Sequence, residues 1–171
     1  GGFAVKTVLT VAGSDPSGGA GIQADIKTIT AHGLYATSAI TALTVQNTLG
    51  VSRVEPVPVD LVAQQIDCVV GDIRPDAVKI GMLCNAEIVQ AVAQALAHGQ
   101  AECIVIDPVM ISTSGHRLLD QEAVQWMKRK LFPMAQLITP NLPEAEALCG
   151  MRVRDEAEME RAARLLSDQT G

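Results

Sequence analysis

Short apolar runs, each ended by glycine or a polar residue, alternate along the chain with longer stretches whose apolar residues recur every three or four positions. The first kind reads as buried strands and the second as amphipathic helices. Residues 8–12 (Val-Leu-Thr-Val-Ala) predict the first strand. Gly13, Asp15, Pro16, Gly18, Gly19 and Gly21 then interrupt regular structure. A helix begins near Ala20, carries Ile22, Ile26 and Ile29 on one face, and ends at Gly33. Residues 39–45 predict a second strand, with a polar turn from Gln46 to Gly50 after it. Residues 51–59 alternate loosely and carry Pro56 and Pro58, which suits an edge strand or an extended cover segment. Asp60 is placed to cap a helix with Val62, Ile66, Val69 and Val70 on one face.

The alternation continues. Residues 77–80 predict a third strand, ending at Gly81-Met82. Asn85 caps a helix with Ile88, Val89, Val92 and Leu96 inward, stopped at Gly99. Residues 103–106 predict a fourth strand, leaving at Asp107-Pro108, with a loop over 112–115. Asp120 caps a helix to about Leu131, and Pro133 stops it. Residues 136–139 predict a fifth strand, and Asn141 to Glu144 open a short helix ending at Gly150. Asp155 and Glu158 have capping-box spacing before a last helix with Met159, Ala162, Ala163 and Leu166 on one face.

This order predicts an α/β fold over 1–171, as one domain: a mostly parallel sheet with right-handed crossovers and helices on both faces. Ligands in such sheets bind beyond the carboxyl ends of the strands. Those exits carry Gly13 to Asp15, Gln46-Asn47, Gly81-Met82, Asp107, and Asn141 to Glu144. Five changes from apolar to Gly or polar, gathered on one edge, point to a site there. A strand running into a glycine-rich loop and a helix N-terminus brings bare backbone N–H groups toward a ligand. Glycines there also serve a plain turn that needs positive φ. The loop is neither a P-loop nor G-x-G-x-x-G.

Composition narrows the reading. Aromatics are 2% and apolar residues 48%, so the core is built from Ala, Val, Ile and Leu, as in sheets covered on both faces. A net charge of −6 argues against nucleic acid as a partner. No apolar run approaches a membrane span, and the N-terminus lacks a signal-peptide layout, with Gly1-Gly2 set aside. Cys68, Cys84, Cys103 and Cys149 form no C-x-x-C pair and read as reduced thiols of a cytoplasmic protein. His32, His98 and His116 sit near none of them, which excludes a zinc cluster. His32 and His98 precede glycine at predicted helix ends, where histidine serves the dipole or solvent.

Several residues have two readings. Gln46 is either a turn residue facing water or a primary amide able to pair with an aminopyrimidine's ring nitrogen and amino group together. Asp25 is either a helix-dipole partner or a ligand contact. Asp107 and Glu144 are either turn and cap residues or carboxylates that meet Mg²⁺ directly or through water.

The blocks at 12–27 (Ala-Gly-Ser-Asp-Pro-Ser-Gly-Gly-Ala-Gly-Ile-Gln-Ala-Asp-Ile-Lys), 40–48, 79–83, 107–110 and 139–145 (Thr-Pro-Asn-Leu-Pro-Glu-Ala) resemble, in order, the hydroxymethylpyrimidine/phosphomethylpyrimidine kinases of thiamine biosynthesis. That family is ribokinase-like. The resemblance implies ATP-dependent phosphorylation of the pyrimidine alcohol and then of its monophosphate. It places Gln46 on the pyrimidine edge, with Gly13, Ala20, Asp25, Thr44, Met82 and Val109 around the ring. It assigns Asn141 and Glu144 to the Mg²⁺–ATP phosphates, and Asp107 and Glu144 to the metal. A homodimer is also implied. The family's Lys-Gly-Gly-His strand and the Gly-Thr-Gly loop bearing its catalytic Cys or Asp have no match here. The resemblance therefore covers about the N-terminal two-thirds of the family and assigns no catalytic residue. The 171 residues alone are expected to be inactive and, with an open sheet edge, to self-associate. The rivals are a pyridoxal or pyridoxamine kinase and a pyrimidine-binding module without catalysis. A pyridine ring lacks the edge that Gln46 fits.

Overall fold

The computed structural model describes residues 5–111, 115 and 118–171; the 112–114 part of the predicted loop, His116 and Gly1-Gly2 lie outside these. Its six strands are β1 (Thr7–Ser14), β2 (Tyr35–Asn47), β3 (Gly50–Pro56), β4 (Ala77–Ile80), β5 (Ile104–Ile106) and β6 (Ala135–Ile138). They form one sheet in the order β3-β2-β1-β4-β5-β6. All neighbours are parallel except β2 and β3, which make an antiparallel hairpin. The helices are α1 (Gly21–Ala31), α2 (Val59–Asp72), α3 (Ala86–His98), α4 (Gln121–Trp126), α5 (Leu142–Cys149) and α6 (Glu156–Thr170).

Side-chain alternation along the central strands builds two different faces. Leu9, Val11, Val78, Ile80, Ile104 and Ile106 point one way and join Val62 and Ile66 of α2, Ile88, Val92 and Leu96 of α3, and Ala123 of α4 in the main core. α1 covers β1 and β2 on the other side and buries Ile22 and Ile29 there. Helices on both faces are thus as the alternation predicts. The chain order turns round between β1 and β4. β1 leads out to β2 on one side and β4 to β5 on the other, so their carboxyl ends splay and leave a crevice, as such a reversal dictates.

Several boundaries differ from the sequence reading. Gln46 and Asn47 are not in a turn but end β2, because β3 pairs with them (Gln46 with Val51, Asn47 with Gly50). The edge-strand alternative for 51–59 therefore holds for its first part. Asp60 does not cap α2; Pro58 holds the cap position without a side-chain bond, and Asp60 falls in the first turn, where its charge suits the dipole. The helix capped by Asp120 is α-helical only to Trp126. It widens to a π-helix over Met127–Leu131 and tightens to a 3₁₀ turn over Phe132–Met134. Asn85, Asp120 and Asp155 cap as expected, each accepting from the backbone N–H three residues on. Glu158 returns to the N–H of Arg154, so the box at α6 is only half formed.

Candidate functional site

β1 ends in a loop that Asp15 organises. Asp15 is 2% exposed, and its carboxylate accepts from Ser17 N (2.8 Å) and Oγ (2.7 Å), Gly19 N (3.0 Å) and Ala20 N (2.8 Å). Burial disfavours its charge, but the bonds from Ser17, Ala20 and Gly19 outweigh that and hold the carboxyl below its ordinary range. The glycines serve two needs. Gly18 and Gly21 take positive φ (80° and 57°). Gly13 does not; a Cβ there would lie 2.6 Å from the Met82 Cε, so its bareness lets Met82 close over the end of β1. The turn reading of this loop is true of part of it.

The loop forms one wall of a cavity of about 300 Å³ at the β1/β4 crevice. Gly13, Ala20, Asp25, Thr44, Gln46, Met82, Asp107 and Val109 all line it, so four of the five predicted strand exits converge. Gln46 reaches it from the end of β2. The Thr44 hydroxyl has one proton to donate, to Ser14 O (2.9 Å) or to Gln46 Oε1 (3.2 Å), and so stands beside the Gln46 amide. The Gln46 amide NH₂ has no partner among the described residues. Met82 is buried, its carbonyl held by the Thr41 hydroxyl at 2.5 Å, and with Val109 it gives the cavity an apolar side.

Asp25 is not a dipole partner. It lies past the first turn of α1, which contains no acid. Its carboxylate faces the sheet, accepting from the Thr10 hydroxyl (2.6 Å) and, through both oxygens, from Lys79 Nζ (2.9 Å each). Asp107 stands in the field of this pair. Burial pushes its carboxyl up, Lys79 opposes that, and Asp25 adds to it.

Asn141 and Glu144 lie beside the cavity rather than in it. They form a full capping box on α5: Glu144 N donates to Asn141 Oδ1 (2.9 Å), and Asn141 N donates to Glu144 Oε2 (3.0 Å). The second Glu144 oxygen accepts from Met110 N (3.3 Å), tying α5 to the segment after β5. Glu144 is 6% exposed; burial pushes its carboxyl up, against the N–H bonds from Asn141 and Met110. The capping alternative is thus what the geometry contains. Among the described residues no three His, Cys, Asp or Glu side chains cluster as metal ligands.

Four cysteines are free; Cys68 and Cys103 are exposed, and Cys84 and Cys149 half-buried. Burial pushes the Cys84 thiol up to about 11, which keeps it protonated and a poor nucleophile at neutral pH. No helix among the described residues is long and apolar enough to cross a membrane.

Sequence reasoning missed Thr10, Asp15 and Lys79 as site residues. A signal was present for two. Thr10 and Lys79 are polar interruptions inside apolar runs, at places where a strand covered on both faces is normally apolar. Asp15 lay at a predicted strand exit but was given no role of its own there, since Asp in a Pro/Gly loop is ordinary turn composition.

A family profile described as phosphomethylpyrimidine kinase matches residues 15–171. The hydroxymethylpyrimidine/phosphomethylpyrimidine kinase of Haemophilus influenzae is 50% identical over 165 residues, covering 96% of this chain and 61% of its own length. A thiamine biosynthesis bifunctional protein of Geobacter sulfurreducens is 52% identical over 164 residues, covering 96% of this chain and 34% of its own. Among solved structures, phosphomethylpyrimidine kinase from Clostridium difficile superposes with a TM-score of 0.89 at 45% identity, covering 96% of this chain and 71% of that one. A Staphylococcus aureus pyridoxal kinase in complex with AMP-PCP and pyridoxal gives 0.87 at 35% identity, over 99% and 61%. The chain thus spans about six-tenths of the Haemophilus relative's length. With a family profile matched over 15–171 and half the residues shared with the Haemophilus kinase, the chain belongs to the phosphomethylpyrimidine kinase family.

Proposed function

We propose that the complete protein phosphorylates 4-amino-5-hydroxymethyl-2-methylpyrimidine, and then its monophosphate, with ATP. The observation that carries this is the Gln46 amide, whose NH₂ has no partner among the described residues, in a cavity walled by Met82 and Val109. A primary amide beside an aminopyrimidine accepts from the amino group and donates to the ring nitrogen at once. The apolar side supports the ring faces, and the Asp25 carboxylate, bonded to Lys79 at the cavity wall, can accept from a hydroxyl donor on the substrate. The pyridoxal kinases support a side activity on pyridoxal, but at 35% identity against 45% for the pyrimidine kinase they rank second.

Magnesium fits this chain only as an ion held mostly by water and nucleotide phosphates. Asp107 and Glu144 offer two carboxylates near one strand exit, fewer than an all-protein cage needs. When bound, the ion would neutralise phosphate charge. Asp107 would meet it or its waters; Glu144, occupied by its cap, would act through charge. Asn141 would hold α5 in place beside the phosphates. No residue of this chain is assigned the proton transfer.

The exposed side chains of Leu43, Val45 and Leu49 on the β2–β3 hairpin support the expected homodimer, and sedimentation of a Val45→Glu variant tests it by loss of the dimer. Free thiols and the absence of paired cysteines suit a cytoplasmic protein. The activity is tested by incubating the complete protein with Mg-ATP and the pyrimidine alcohol and following product by mass spectrometry. Mono- and diphosphorylated pyrimidine are expected, with slower conversion of pyridoxal. Faster conversion of pyridoxal than of the pyrimidine would favour the second reading. Pyrimidine binding without product would favour a binding module.

A further inference from the structure

Lys79 occupies the middle of β4, between β1 and β5, with Val78 and Ile80 of the main core on either side of it in sequence. An ammonium there is costly to bury unless it has work or partners. Its partner is Asp25, which it meets with two bonds of 2.9 Å. The pair is not sealed: the Lys79 side chain keeps 27% exposure and Asp25 17%, and both line the cavity. A purely structural pair fastening α1 to the sheet would gain nothing by opening into a ligand cavity.

The charges around the cavity are unbalanced. Among the described lining residues, Asp15, Asp25 and Asp107 are acidic and Lys79 is the basic one. Asp15 is consumed by the N–H and O–H groups of its own loop. Asp25 and Asp107 then face Lys79 alone, leaving the wall with a net negative charge. A neutral pyrimidine alcohol tolerates this. A phosphate monoester, carrying about −1.5 to −2 at pH 7, is repelled by the two carboxylates and depends on the Lys79 cation to offset them, because charges interact strongly in a part-dry cavity. An ammonium has three N–H donors, and Asp25 engages two bonds' worth. Among the described residues the third has no partner, so it can meet a ligand oxygen.

We propose that Lys79 is a specificity-determining residue, whose cation lets this cavity hold a phosphorylated pyrimidine as well as the neutral alcohol. The proposal rests on the pyrimidine reading of the cavity and assigns to Lys79 the choice between the two ligands. Loss of the cation leaves the carboxylates unopposed and selects against the anionic ligand.

The test is calorimetric titration of the complete protein with hydroxymethylpyrimidine and, separately, with its monophosphate, as wild type, Lys79→Met and Lys79→Arg. The readout is the ratio of the two affinities. Lys79→Met should lower monophosphate affinity at least tenfold while the alcohol changes less than about threefold, and Lys79→Arg should restore most of the loss. Raising KCl should weaken monophosphate binding in the wild type but not in Lys79→Met. Should Lys79→Met fail to fold, Lys79→Gln, whose neutral amide can still donate to Asp25, carries the test, and the same tenfold fall in the ratio is expected of it. Equal losses for both ligands, or an unchanged ratio, would make Lys79 a fastener of α1 and overturn the assignment alone. Wild-type protein that binds neither ligand would overturn the pyrimidine reading and this inference with it.

Discussion

The two faces of the sheet's centre are built from neighbouring residues of the same strands, and they do different work. One row runs Leu9, Val78, Ile104 across β1, β4 and β5, and a second runs Val11, Ile80, Ile106. Every member is at most 1% exposed and packs under α2, α3 and α4. The row between them, one residue along, is Thr10, Lys79, Val105. It turns to the α1 side and carries the hydroxyl and ammonium that hold Asp25. A shift of one residue in a strand exchanges core for chemistry, because the side-chain period is two. The apolar rows fix the sheet, and the polar row works only because they do.

That division can be broken from either side. The largest effect should come from the apolar rows: Ile80→Ala, at a fully buried position, is expected to cost about 2–5 kcal/mol in urea unfolding. The affinity of the molecules that remain folded for the pyrimidine should be unchanged. A specific loss of binding with stability intact would mean the faces are not separable.

Asp15 comes next. Asp15→Asn puts an amide NH₂ where a carboxylate oxygen now accepts from Gly19 and Ala20, and should cost about 1–3 kcal/mol. The sign with pH follows from the folded carboxyl lying below its ordinary 3.8. Its charge stabilises the fold fully above that value, and the gain disappears as pH falls through 3.8 toward the folded value. The gap in urea midpoint between wild type and Asp15→Asn should therefore be constant near neutrality and close below 3.8. A gap that widens on acidification would contradict the assignment.

The smallest of the three concerns Glu144, which lies off both rows. Gln keeps its one oxygen for Asn141 N and turns its NH₂ toward Met110 N, so Glu144→Gln removes the charge together with one long bond. Thermal stability should fall modestly, through the bond lost at Met110 N. Turnover of the complete protein should fall roughly tenfold, equivalent to about 1.4 kcal/mol, with a raised Mg²⁺ requirement and unaltered pyrimidine affinity. Unchanged Mg²⁺ dependence would leave Glu144 as a cap and a tie to Met110.

Most of the architecture was legible from periodicity, because each apolar strand run ends abruptly at a glycine or polar residue and each long helix has one apolar face. Gln46 was placed in a turn because polar residues after an apolar run read that way; only its pairing with Val51 keeps it in the strand. Asp60 looked like a cap because the residue type fits, but Pro58 already sets the entry to α2. Asp25 showed the reverse problem. Its spacing suggested the dipole, and its partners, Thr10 and Lys79, are 15 and 54 residues away, beyond the reach of any local pattern. The convergence of Gly13, Gln46, Met82 and Asp107 was foreseen from strand exits because parallel order forces all carboxyl ends to one edge.

The central claim is that Gln46 reads the pyrimidine in the cavity at the β1/β4 crevice. It is tested most directly by titrating hydroxymethylpyrimidine into the complete protein and its Gln46→Ala variant by calorimetry. Loss of a bidentate amide pair should weaken binding by about 1–3 kcal/mol, with unfolding stability unchanged. Equal affinity in the two proteins would remove Gln46 from the site and contradict the account.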